Sequence, residues 1–142
     1  MPGNRQHRSP NSTLVTMTST DPATRNKDLA LHTFAEFAAG NTEVLRTALH
    51  DDFVEHSPGN PSGKDAFLDF ITRAQVATAR LELARVIAED DYVVMHYRLV
   101  PSDGEPELAV VDIWRFADGK IVEHWDVVQH VPVPAEVPHG MF

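Results

Sequence analysis

The hydrophobic pattern of the chain changes its period near residue 80. Before that point apolar positions recur every three or four residues; after it they alternate, as on a pleated strand. In "TDPATRNKDLALHTFAEFAAG", Ala30, Phe34 and Phe37 fall on one helical face. Thr20 or Asp21 can cap this helix, Pro22 suits its first position, and Gly40 ends it. "NTEVLRTAL" predicts a short second helix capped by Asn41. "SGKDAFLDFITRAQ" predicts a third, with Ser62 and Asp65 in the spacing of a capping box and Phe67, Phe70, Ile71 and Ala74 on one face. Between them, "DDFVEHSP" is a brief extended piece closed by Pro58.

Four alternating runs follow: "RLELARVIAE", "DYVVMHYRLV", "ELAVVDIWRF" and "KIVEHWDVVQHV". Acidic or Pro/Gly turns join them, so they read as strands of an antiparallel sheet. The predicted class is α+β: three N-terminal helices packed on a curved sheet of four strands plus one short strand. The folded domain is expected over residues 21–132. The tail, 133–142, has alternating prolines and cannot extend a central strand. Residues 1–27 carry a net charge of +3, leaving −12 for the remainder of a chain whose total is −9. The polar, non-periodic start, residues 1–20, reads as a disordered extension, and either Met1 or Met17 could be the initiator.

The last two strands carry unusual polar residues. Asp118-Gly119 is a strong two-residue hairpin signal. Taking it as the loop pairs Phe116 with Ile121, Trp114 with Glu123, Asp112 with Trp125, Val110 with Val127 and Leu108 with Gln129. This set forms the more aromatic face and is assigned to the side under the helices. His124 and Asp126 then fall on the other face with Val111, Ile113, Val122 and Val128, where a second subunit would meet the sheet. A single β-bulge would exchange the two faces.

Composition narrows the partners. A net charge of −9 and the lack of a basic patch exclude nucleic acid. No apolar run is long enough to span a bilayer, and the N-terminus lacks the apolar stretch of a secretory signal, so a cytoplasmic protein is expected. The absence of cysteine removes disulfides, thiolate metal sites and thiol nucleophiles. "GNPSGKD" lacks the spacing and context of a phosphate loop.

The order of helices and strands, with "VVDIWRFADGKIVEHWDVVQ" and "FVEHSPGNPSGKDAF", resembles the SnoaL-like branch of the nuclear-transport-factor-2-like superfamily. That branch contains polyketide cyclases and proteins of the aldol-condensation type. The resemblance covers roughly residues 22 to 132. It implies a cone-shaped domain with a pocket between helices and sheet, no cofactor, and acid–base chemistry on a carbonyl or polyketide-like compound. It further implies that His56, His96, Asp112 and Gln129 are the pocket's polar residues, with Trp125 as a wall. Strand parity alone leaves His96 facing either way; the resemblance turns it inward. Where the cyclases carry a carboxylate four residues after the hairpin tryptophan, this chain has Gln129, and it has Ser57 where the branch usually has Asn.

The leading expectation is a cofactor-independent isomerase, cyclase or aldol-type lyase. Asp112 is its base, since a carboxylate in apolar surroundings can work near neutral pH. His96 and His56 are hydrogen-bond donors, Gln129 and Glu123 bind substrate, and Trp114, Trp125 and Phe53 enclose it. Asp112 has an alternative reading as a structural carboxylate tied to Arg98, Tyr97 or a histidine. One rival expectation is a non-catalytic binding protein of the same fold. Another is a metal enzyme using His124, Asp126 and a further histidine. A homodimer through the outer sheet face is also expected.

Overall fold

The computed structural model describes residues 20–142; the expectations for residues 1–19, including a start at Met17, lie outside the described residues. Asp21 caps helix α1 (Pro22–Ala38) by accepting the backbone N–H of Thr24 at 2.9 Å, with proline opening the helix as its fixed φ allows. Gly40, at φ 95°, turns the chain out of that helix. A single-turn helix α2 (Val44–Ala48) runs directly into strand β1 (Leu49–Glu55), and helix α3 (Lys64–Ile71) follows. The expected capping box does not form. Gly63 occupies the cap position of α3, while the Ser62 hydroxyl accepts the backbone N–H of Glu55 at 3.1 Å.

Strands β2 (Arg80–Glu89), β3 (Tyr92–Val100), β4 (Leu108–Ala117) and β5 (Lys120–His130) complete a five-stranded sheet in the order β1-β5-β4-β3-β2. Four strands are antiparallel neighbours as predicted. The short strand joins the edge of the sheet in parallel with β5, so the sheet is mixed. Helix α1 packs on β2 and β3, and α3 on β1, leaving the opposite sheet face outward. Among the described residues no helix is long and apolar enough to cross a membrane.

Alternation sorts β3 cleanly. Val93, Met95, Tyr97 and Leu99 are buried against the helices, whereas Val94, His96 and Arg98 point outward. Phe53 and Phe67 meet at 5.0 Å in the same core, with Leu49, Ile121 and Phe116. Burying side chains of this size contributes roughly 2–3 kcal/mol apiece.

The hairpin turn is as predicted: Asp118 and Gly119 both adopt positive φ, at 52° and 72°, and Ala117 pairs with Lys120. The register beyond it is not. Phe116 pairs with Ile121, but Arg115 pairs with Glu123, so Val122 is an extra residue in β5. This bulge reverses the remainder of the strand relative to β4. Trp114 now faces His124, Asp112 faces Asp126, and Val110 faces Val128.

Candidate functional site

A cavity of about 380 Å³ opens between the helices and the sheet. Its walls are mainly hydrocarbon, including Phe34, Phe67, Ile71, Leu99 and Trp114, and its charged lining residues are Asp112, His124 and Asp126. Such a volume suits a small organic ligand, and apolar walls with a few converging polar groups are the usual form of a ligand site.

The polar end is built from three strands. Parity from buried Phe53 turns Glu55 of β1 inward, and the Val122 bulge turns His124 and Asp126 inward beside it. His124 is 4% exposed and lies between two carboxylates. Its Nε2 is 2.9 Å from Asp112 Oδ1, and its Nδ1 is 2.8 and 2.9 Å from the two oxygens of Glu55. A carboxylate accepts, so both ring nitrogens donate and the ring is an imidazolium. Burial alone would push its pKa down. The hydrogen bonds and charges of Asp112 and Glu55 overcome that and raise it to about 9. The indole of Trp114 stacks on the ring at 3.8 Å and favours the same cation.

The loop after β1 closes the network. The backbone N–H of Ser57 donates to Glu55 Oε1 at 2.8 Å, and the Ser57 hydroxyl donates to Asp126 Oδ1 at 2.7 Å. Asp126 lines the cavity, and among the described residues no donor reaches its second oxygen. Opposite, Tyr97 is buried and its ring meets Phe34 edge-on at 5.2 Å. Burial, and then the charge and hydrogen bond of Asp112, hold its phenol well above the usual tyrosine range, so it stays protonated. The arrangement therefore offers a fixed cation, one carboxylate bound to it, a second carboxylate with an open oxygen, and a neutral phenol.

Of the residues singled out in the sequence, the structure brings Asp112 and Trp114 to this cavity. Phe53 is core behind it, packed on Phe67. Glu123, Trp125 and Gln129 lie on the outer face because of the Val122 bulge. His56 follows them: it is exposed, stacks on Trp125 at 4.6 Å and bonds Glu123 at 2.7 Å. His56 and then Arg115 hold the Glu123 carboxyl below its usual range. His96 is also outward. It bonds Arg85 and stacks on Phe142 of the tail, and burial followed by the Arg85 charge lowers its pKa. His124 and Asp126, assigned to the outer face, are instead inside. Glu55 was missed, although it shares parity with Phe53; Ser57 was noted only as a departure from the branch, and Tyr97 only, with a histidine, as a partner tying down Asp112, which is where the structure has both.

A metal would meet competition here. Ligand atoms of Asp112, His124 and Asp126 lie within 4.8 Å of one another, and the third member is a carboxylate rather than the further histidine expected. Both nitrogens of His124 are engaged by carboxylates, so a cation would have to displace a proton.

The family model of the SnoaL-like domain matches residues 30–124, two thirds of the chain. The chain belongs to the SnoaL-like domain family. Solved structures share its fold. A candidate ketosteroid isomerase from Kribbella flavida DSM 17836 superposes with a TM-score of 0.69 at 17% identity, covering 84% of this chain and 91% of that one. A candidate SnoaL-like polyketide cyclase from Jannaschia sp. CCS1 gives 0.64 at 22% identity, covering 88% and 92%. IdmH, a candidate polyketide cyclase from Streptomyces antibioticus, gives 0.59 at 23%, covering 73% and 91%. No curated protein matches the sequence. The matched SnoaL-like region stops two residues short of Asp126.

Proposed function

We propose that this SnoaL-like protein moves protons on a small, hydrocarbon-rich carbonyl compound without a cofactor, as an isomerase, cyclase or aldol-type lyase does. The observation that carries this reading is the open oxygen of Asp126 at the polar end of a mainly hydrocarbon cavity. Asp126 takes the proton α to the carbonyl, and the Ser57 hydroxyl fixes its orientation. Asp112 is a positioning residue here, held by His124 at 2.9 Å, so the base role moves from Asp112 to its cross-strand neighbour. The Tyr97 phenol, which bonds Asp112 at rest, turns to hydrogen-bond the developing enolate, a donor that stays protonated through neutral pH. The fold neighbours named as isomerase and cyclase candidates support the reaction class.

Deuterium wash-in tests this. Uncharged ketones, β-diketones and enones are incubated with the protein in deuterium oxide, and α-deuteration is followed by NMR. Wild type should accelerate exchange for some member of the panel, and Asp126→Asn should remove on the order of 10²–10⁴-fold of it, the usual worth of a positioned general base. A second reading, a binding protein without turnover, is favoured by the engagement of Asp112 with His124. Panel members that bind but exchange no faster than in buffer would establish that reading and end the first.

A further inference from the structure

The polar end of the cavity is a one-sided hydrogen-bonding surface. The donors nearest the carboxylates are already used: both nitrogens of His124 serve Asp112 and Glu55, and the Ser57 hydroxyl serves Asp126. The Tyr97 phenol leans on Asp112. The Asn60 amide, also in the lining, reaches toward Glu55 at 3.5 Å, so what a ligand meets at this point is mainly carboxylate oxygen, chiefly the open oxygen of Asp126.

The charge is one-sided as well. Glu55, Asp112 and Asp126 surround a single imidazolium, a formal balance of −2, and among the described residues no lysine or arginine lines the cavity. The arginines of the neighbouring strands are turned away: Arg115 pairs with Glu123 and Arg98 with Glu107, both on the outer face. Hydrocarbon walls keep this imbalance from being screened as it would be in water.

We infer that the cavity selects an uncharged or cationic, hydrocarbon-rich ligand whose polar end is a hydrogen-bond donor set against Asp126, and that it rejects carboxylates. The inference rests on the reading of this cavity as the working site and narrows its substrates. Keto acids are excluded, and amino ketones or hydroxy ketones are admitted alongside simple ketones. A ligand ammonium or hydroxyl group takes the position that the acidic C–H takes during reaction. An anionic head would instead meet two carboxylates with no free cation to offset them.

Three probes with one ring system separate the possibilities: 2-naphthylmethylammonium, 2-naphthylmethanol and 2-naphthoate, each titrated calorimetrically at neutral pH. The ammonium and the alcohol should bind wild type, with the carboxylate about a hundredfold or more weaker. Asp126→Asn should bring the ammonium and the carboxylate to within about tenfold of each other. Ser57→Ala keeps the carboxylate while removing its internal donor, so it should preserve the ranking; it also tests the idea if the asparagine variant does not fold. Tightest binding by naphthoate, binding by none of the three, or a ranking unchanged in Asp126→Asn would each overturn the inference. Failure of deuterium exchange beside the expected ranking would remove the catalytic reading alone. Successful exchange beside preferred carboxylate binding would remove this inference alone.

Discussion

Raising the pH from about 7 to 9.5 should unfold this protein's tolerance to denaturant step by step, through one buried residue. His124 is held as an imidazolium between Glu55 and Asp112, with its pKa raised from 6.5 to about 9. At about 1.4 kcal/mol per unit, the cation contributes about 3 kcal/mol to folding. The folded pKa is the higher one, so this contribution is complete below pH 6.5 and disappears as pH climbs through about 9. Midway, stability should fall by roughly 1 kcal/mol per pH unit. Against a typical net stability of about 5–15 kcal/mol, that loss is large.

Few other displaced groups disturb this window. The lowered pKa of His96 gives the opposite slope, but its titration is finished by neutral pH. Glu123, Asp51 and Asp21 are displaced downward and titrate in acid. Tyr97 is displaced upward and acts only at still higher pH, in the same direction as His124. The assay is urea unfolding at half-unit pH steps, with the slope on denaturant confirmed constant so that midpoint shifts report stability. Wild type should lose roughly 1–2 M in midpoint over the window, whereas His124→Gln, with nothing there to titrate, should start lower and stay flat. A wild-type midpoint that is level or rising across the window would refute the doubly paired imidazolium.

The remaining predictions are shorter. Phe67→Ala removes a ring that is 1% exposed and packs on Phe53, and should cost about 3–5 kcal/mol in urea or thermal unfolding. Glu55→Gln takes one carboxylate from His124; the alkaline loss of stability should then begin at lower pH, measured in the same titration. Gly119→Ala forces a side chain into φ 72° and should cost about 1 kcal/mol in urea unfolding, all of it backbone strain, since no atom lies within 4 Å of the added methyl. Zinc or manganese should raise the melting temperature more at alkaline than at neutral pH, because the ion must displace the His124 proton; a pH-independent response would place it elsewhere.

The helices and most strands were legible because each has one dry face. Ala30, Phe34 and Phe37 at helical spacing and Val93, Met95, Tyr97 and Leu99 at spacing two leave little choice of orientation. The positive φ of Asp118 and Gly119 was readable from residue type alone. Asp112 and Trp114 were placed correctly because β4 runs from the turn without interruption on its own side. His96 had the same parity evidence as Tyr97 beside it, and its true outward position agrees with that parity once Met95 and Leu99 are taken as core.

Strand β5 was different for a physical reason. Its two alternate sets, Glu123-Trp125-Val127-Gln129 and Val122-His124-Asp126-Val128, each mix aliphatic with polar residues, so hydrophobicity does not choose between them. The choice falls to Val122, whose extra length opposes no residue of β4. A β-branched residue in an ordinary strand sequence gives no signal of a bulge. What decides its placement is long-range: Glu55 and Asp112 need the His124 cation between them, and Asp126 receives the Ser57 hydroxyl. The alternative register would bury Glu123 and Trp125 there and leave Glu55 and Asp112 side by side without a cation. A buried carboxylate pair with no partner is far costlier than one unpaired residue at a bulge. The charge network thus fixes the register of the strand that carries it, and the residues given roles in the proposed chemistry also join β1 to the rest of the sheet.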